Sequence, residues 1–284
     1  MCKKKDKAIE KAFDIGDSLA GSAAGAALGA VAGPLGIVAG ALIGTVAEQT
    51  IILIGNEIKD RMLSKQESIR VGTVYQIAGE KINANLESGR ILRDDDFFTS
   101  NDGGRPASEE LLEGTLLSAQ KEYEEKKLKY IGNLYGNLLF TSDITVPTAN
   151  MLIKLAESLT YRQLCEIATI AMMQGSPNAE TNPLLKESFH TVSGMNNVSI
   201  ASEIFDLYQK TLLSSSDAIF DAAGINPSKL KVVGNGVSLY NLMELRTIPA
   251  NDFREIIELL TGKTVIEATD RLVAGEARAT AVFG

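Results

Sequence analysis

The chain has 284 residues, of which 45% are apolar, enough to fill the cores of two or three structural units and too many for a disordered tail. A net charge of −8 and a sequence pI near 4.9 argue against broad nucleic-acid binding, because an acidic surface repels phosphate. Cys2 and Cys165 are the only cysteines, too few for a disulfide framework, so a reducing, cytoplasmic setting is expected.

Lys3, Lys4 and Lys5 precede an apolar region, but Asp6, Glu10, Asp14 and Asp17 interrupt the approach, so no cleaved export signal is expected. From Ser18 through Ala47 there is no charged side chain. Within that stretch Gly21, Gly25, Gly29 and Gly33 recur every fourth residue. Pro34 then breaks the register, and Gly36, Gly40 and Gly44 resume it. Four-residue spacing aligns glycines on one ridge of a helix and lets a second backbone approach closely. Gly33-Pro34 is a turn signal, which predicts two antiparallel helices, roughly 8–32 and 35–62, facing each other through their glycine ladders.

Two readings fit this hairpin. Each uncharged arm spans about 15 residues, roughly 22 Å of helix against a hydrocarbon core of about 30 Å. A membrane-active hairpin is the preferred reading, with lipid as a partner and homo-oligomerisation expected. A soluble homo-oligomeric scaffold that buries the ladders between helices is the alternative. The glycines cost roughly 1 kcal/mol each relative to alanine in an isolated helix, so either reading must supply a packing reason. Folding back at Pro34 would keep Lys3, Lys4 and Lys5 on the same, cytoplasmic side of the inner membrane as Lys59 and Arg61.

Downstream, the pattern over 58–92 predicts an amphipathic helix with breaks near Gly72 and Gly79, burying Ile69, Val74, Ile77 and Ile82. Arg93 to Pro106, with Asp94, Asp95, Asp96, Gly103 and Gly104, reads as an exposed loop. The acidic trio lacks calcium-loop spacing and is expected to be solvated. Ser108 is expected to cap one long helix running to about Phe140, with Leu112, Leu116, Ala119, Tyr123, Tyr130, Leu134 and Leu138 inward. Glu122–Lys126 and Glu125–Lys129 are expected on its wet face. Pro147 opens the next helix, and the Thr160-x-x-Gln163 capping box starts another at Tyr161, running to about Met173.

Gly175 to Gly194 reads as a loop, with a short helix at 184–189, and Ser199 as the cap of a helix through about Leu213. Lys229 to Leu245 is the best strand candidate, a hairpin turning at Gly234-Asn235-Gly236 with Val237, Leu239 and Leu242 on its second strand. A last helix spans about 252–260 and stops at Gly262. The expected fold is therefore mainly α: a glycine-zipper hairpin (1–62), an amphipathic connector with an acidic loop (63–104), a helical core (105–175) and a winged-helix-like unit with one β-hairpin (176–284).

Enzymatic chemistry is not expected. The single histidine, His190, has no sequence neighbour forming a metal pair or a dyad. Thr261-Gly262-Lys263-Thr264 ends like a phosphate-binding loop, but Ile257 stands where the first glycine belongs and a helix precedes it. No catalytic residue, metal or cofactor is assigned. The winged-helix arrangement would need a basic recognition helix to bind DNA. The helix from Tyr161 carries only Arg162 against Glu166, and the one through Leu213 only Lys210 against Glu203 and Asp206, so protein contact is expected instead.

The stretch Tyr130-Ile-Gly-Asn-Leu-Tyr-Gly-Asn-Leu-Leu-Phe-Thr-Ser-Asp143, followed by Ala149 to Leu155 and Leu159-Thr160, resembles the core of Abi-alpha, a bacterial abortive-infection family. The resemblance covers about residues 108–180 and departs from the family pattern at Tyr135-Gly136. It implies a bacterial antiviral-defence or toxin-like role, in which a sensing C-terminal portion restrains a membrane-active N-terminal one; the hairpin itself is expected to be pore-forming or membrane-permeabilising. It carries no catalytic residue.

Overall fold

The computed structural model describes residues 63–99, 103–174, 181–182, 184–189 and 193–262. The glycine hairpin, its flanking lysines and His190 lie outside the described residues, so the fold below is that of the helical body. It is mainly helical, with eight α-helices and one two-stranded antiparallel sheet among the described residues. It divides into two compact units between Ser158 and Leu159.

The first unit contains α1 (Lys65–Glu87), α2 (Ala107–Lys121), α3 (Glu125–Leu138) and α4 (Val146–Ser158). Nearly every residue of α3 from Lys127 to Leu138 is buried, which makes it the central helix of the unit. The longest helix, α1, lies chiefly along α3 and also touches α2, while α4 packs on α2 and α3. The breaks expected at Gly72 and Gly79 are absent, because α1 is continuous through both. Two interior glycines cost about 2 kcal/mol in an isolated helix. Burial of Val71, Val74, Ala78 and Ile82 along the same helix outweighs that cost. Sequence division at 104 also differs from the contact division, since α1 shares a core with α2 and α3.

The single helix expected over 108–140 is two. Residues Glu122 to Glu124 leave helical geometry between α2 and α3, with ψ at 124° for Glu122 and 87° for Glu124. The break lets Glu122 turn inward instead of standing on the wet face, and it leaves Tyr123 78% exposed where burial was expected. The cap differs too: Pro106 occupies the N-cap of α2, and Ser108 is a buried first-turn residue. The 93–106 loop is tied down at one end. Arg93 is buried, forms an ion pair with Asp95, donates from Nη2 to the Ile144 carbonyl (3.0 Å) and stacks 4.3 Å over the ring of buried Phe97. Asp94 and Asp96 remain exposed, as expected.

The second unit is built on α5 (Tyr161–Met173), surrounded by α6 (Met195–Gln209), α7 (Asn235–Leu242) and α8 (Arg254–Thr261). The capping box forms as expected: Gln163 N donates to Thr160 Oγ1 (3.1 Å) and Thr160 N to Gln163 Oε1 (3.0 Å). The sheet pairs β1 (Leu213–Ser214) with β2 (Lys231–Val232), Leu213 opposite Val232 and Ser214 opposite Lys231. The hairpin expected at 229–245 is thus replaced. Lys231 and Val232 do form a strand, but Gly234-Asn235-Gly236 opens α7, so Val237, Leu239 and Leu242 are helical. Gly236 serves close packing rather than a hairpin turn: a Cβ there would stand 2.3 Å from the Leu212 carbonyl oxygen. Gly194, not Ser199, sits at the N-cap of α6, and residues 184–189 form turns without a helix. Gly262 closes α8 at φ +69°, and its N–H donates to the Glu258 carbonyl (2.9 Å), which is helix-end chemistry as read from the sequence.

Candidate functional site

The residues singled out for helix packing and membrane contact, Gly21, Gly25, Gly29, Gly33, Pro34, Gly36, Gly40 and Gly44 with Lys3, Lys4, Lys5, Lys59 and Arg61, all lie outside the described residues. What the structure does hold is the helix that follows them, α1, and the seat in which it rests. That seat is made from the same chemistry as the ladders. Gly132 and Gly136 stand four residues apart on α3 and present bare backbone to α1.

The approach is close enough that neither position tolerates a side chain without movement. A Cβ on Gly132 would lie 2.7 Å from Ile77 Cγ2 and 3.1 Å from the Val74 carbonyl oxygen. One on Gly136 would lie 2.7 Å from Lys81 Cβ and 3.1 Å from the Ala78 carbonyl oxygen. Normal carbon–carbon contact is about 3.5–4.0 Å, so α1 occupies the space the two missing side chains leave. Both glycines fall within the stretch that carries the family resemblance, and their role there is packing. The Gly-x-x-x-Gly spacing was the available signal.

Polar contacts close the seam at both ends of α1. At the C-terminal end, buried Asn85 donates from Nδ2 to Asn137 Oδ1 (3.0 Å), and Arg90 Nη1 donates to both amide oxygens (3.1 Å each). Arg90 also lies 5.2 Å over the Phe140 ring. At the N-terminal end, Ser64 and Glu67 form a capping box, and Gln120 at the end of α2 donates to Glu67 Oε1 (2.9 Å). Hydrogen bonds from Ser64 and then Gln120 hold the Glu67 carboxyl down at about 2, so this tie stays ionised at neutral pH. Tyr135, fully buried beside the glycine seat, donates its hydroxyl to the Ser108 carbonyl (3.0 Å) and fixes α3 to the start of α2.

The joint between α2 and α3 holds a second polar cluster. Lys127, 2% exposed, pairs with buried Glu122 at 2.5 Å and donates to the Glu157 carbonyl at the end of α4 (2.9 Å). A cation at a helix C-terminus is favourably placed, so one side chain binds three helices of the unit. Ser118 Oγ donates to the Glu157 carboxylate (3.1 Å) and completes the cluster.

In the second unit two of the three acidic residues weighed against a DNA-binding role, Glu203 and Asp206, are paired internally. Arg162 pairs with Glu203 through two hydrogen bonds (2.8 and 2.7 Å), and Lys210 pairs with Asp206. The cations of α5 and of the C-cap of α6, Arg162 and Lys210, are thus both held in ion pairs. Among the described residues no group of His, Cys, Asp and Glu could hold a metal ion, and no helix is long and apolar enough to cross a membrane.

The chain matches no protein-family model, no curated protein and no solved structure.

Proposed function

We propose that this chain is a bacterial membrane-active effector that inserts the 14–55 hairpin into the inner membrane from its cytoplasmic side, as a homo-oligomer. The helical body over 63–262 acts as its regulatory and assembly module. The observation that carries this reading is the uncharged double glycine ladder from Ser18 to Ala47, joined directly to an amphipathic folded body. The seating of α1 supports it. A helix held by two glycines, a capping box and an asparagine–arginine cluster is a firm anchor from which a hairpin can be presented or withdrawn. The resemblance read from Tyr130 to Asp143, if it reflects kinship with the abortive-infection family, gives this activity a defence setting.

The soluble-scaffold reading has one observation in its favour. Gly132 and Gly136 show the same chain using a four-residue glycine step for helix contact inside a folded unit. Cell fractionation separates the two. Full-length protein is expected in the membrane fraction and a chain lacking residues 1–60 in the soluble fraction. A full-length chain found wholly soluble, as a defined oligomer with 18–47 resistant to protease, would establish the scaffold instead. In membrane-bound protein, cysteines introduced at positions 10 and 60 are expected to label from the same, cytoplasmic side. Labelling from opposite faces would mean a single crossing and end the hairpin reading.

A further inference from the structure

One ionisable group in the body has no structural use that its contacts explain. Glu166 lies on α5 with none of its surface exposed, and no hydrogen-bond donor reaches either of its carboxyl oxygens. It is surrounded by charge that is already committed. Glu203 of α6 stands beside it but is held by Arg162, and Asp206 of α6 is held by Lys210 and accepts a hydrogen bond from Gln163 Nε2 (2.7 Å). The groups facing Glu166 are therefore Arg162 on its own helix and Glu203 and Asp206 across the interface, two negative charges against one positive.

The other elements packed on α5 add no compensating cation. On α7 there is no charged side chain, and Tyr240 is its titratable group. Lys231 of β2 and Asp252, which accepts from the Tyr161 hydroxyl (2.7 Å), are half-buried, while Arg246, Arg254, Glu255 and Glu258 are exposed. An ionised carboxylate in this position would be desolvated and repelled at once. Burial pushes the Glu166 carboxyl well above the usual carboxylate range. The charge of Glu203 pushes the same way, Arg162 pulls against it, and a hydrogen bond that only the protonated acid can donate to the Glu203 carboxyl, then the charge of Asp206, add smaller pushes.

We propose that the α5–α6 interface is a proton-operated latch, in which a proton on Glu166 keeps the two helices closed and its loss loosens them. A neutral Glu166 can sit among apolar neighbours and against the Glu203 carboxyl. A charged one can be accommodated only if water reaches it, which requires α5 and α6 to separate. The sign follows from the raised affinity. Closure is complete below the ordinary glutamate range, near pH 4, and is lost progressively as pH rises toward the value at which folded Glu166 titrates. The device belongs to the second unit and does not depend on what residues 1–62 do.

Cys165, next in sequence and 1% exposed, is a built-in reporter of opening. The experiment uses the full-length chain carrying Cys2→Ser and measures the rate of Cys165 modification by a thiol reagent between pH 5 and 9. The same chain with Glu166→Gln is the reference. Glu166→Gln keeps the shape of the side chain and cannot ionise, so dividing the two rates removes the thiol's own pH dependence. The ratio of wild type to Glu166→Gln is expected to climb with pH, by up to about tenfold per pH unit over the titrating range, because one proton is involved. Thermal melts provide the second readout: Glu166→Gln is expected to melt higher than the wild type at pH 8 and to converge with it near pH 4. A ratio flat with pH, or equal melting temperatures at pH 8, would overturn the latch.

Discussion

Replacing Gly132 by alanine tests whether the glycine seat determines how α1 packs. The added Cβ would stand 2.7 Å from Ile77 Cγ2 and 2.8 Å from Ile77 Cβ, with the Val74 carbonyl oxygen at 3.1 Å. Relief requires about 1 Å of movement in a helix held at both ends. Ile77 is 8% exposed and has little room to turn away. Overpacking of this kind costs about 1–3 kcal/mol. Alanine returns about 1 kcal/mol through its better helix propensity, so the net change is a destabilisation of up to about 2 kcal/mol. Gly72 of α1 supplies the control, since it is exposed and a Cβ there meets nothing within 4 Å. Gly72→Ala keeps the propensity gain without the clash and is expected to stabilise by about 1 kcal/mol. The gap between the two variants isolates the steric cost. For a unit of this size each kcal/mol moves the melting temperature by about 4–8 °C, so circular dichroism melts of the full chain resolve it. If Gly132→Ala raises the melting temperature as much as Gly72→Ala does, the close approach of α1 to α3 is not what holds the seat.

The remaining predictions concern polar contacts. Lys127→Met leaves Glu122 buried without its cation and is expected to cost about 3–5 kcal/mol in denaturant unfolding; adding Glu122→Gln to it should recover most of that loss. A double variant no more stable than Lys127→Met alone would mean that the Glu157 carbonyl contact dominates. Thr160→Ala removes one half of the α5 capping box and is expected to cost about 1 kcal/mol, read from the unfolding of the second unit.

Local chemistry was legible in the sequence where it was self-contained. Thr160 and Gln163 cap α5 because both partners lie within one turn, and Gly262 ends α8 because the left-handed residue needs no tertiary help. The features that escaped are those decided across the core. Glu125–Lys129 stays within α3 on its exposed face as expected, but Glu122–Lys126 is split, because the chain leaves helical geometry over 122–124 where Glu122 turns inward to Lys127. Gly72 and Gly79 read as breaks because their penalty is local, whereas the burial that outweighs it is not. Val237 and Leu239 alternate as a strand would, yet the segment is helical, and Gly236 is needed at its start for the close approach of the Leu212 backbone rather than for a hairpin turn. Glu166 was visible as an acid inside the apolar run from Leu164 to Met173. Weighed only as a counter-charge to Arg162, it gave no sign that Arg162 would be taken by Glu203. The glycine ladders were the strongest sequence signal, and they fall outside the described residues.

Dye release from phospholipid vesicles by the purified full-length chain, compared with the Gly25→Leu, Gly40→Leu double variant, tests membrane activity most directly. Leucine at these positions keeps each arm apolar and long enough to insert but removes the bare ridge on which one helix meets the other. The wild type is expected to release dye and the double variant to lose most of that release, with the helical body of both giving the same circular dichroism. Equal release from the two proteins, or none from either, would contradict a hairpin that acts on membranes through its glycine ladders.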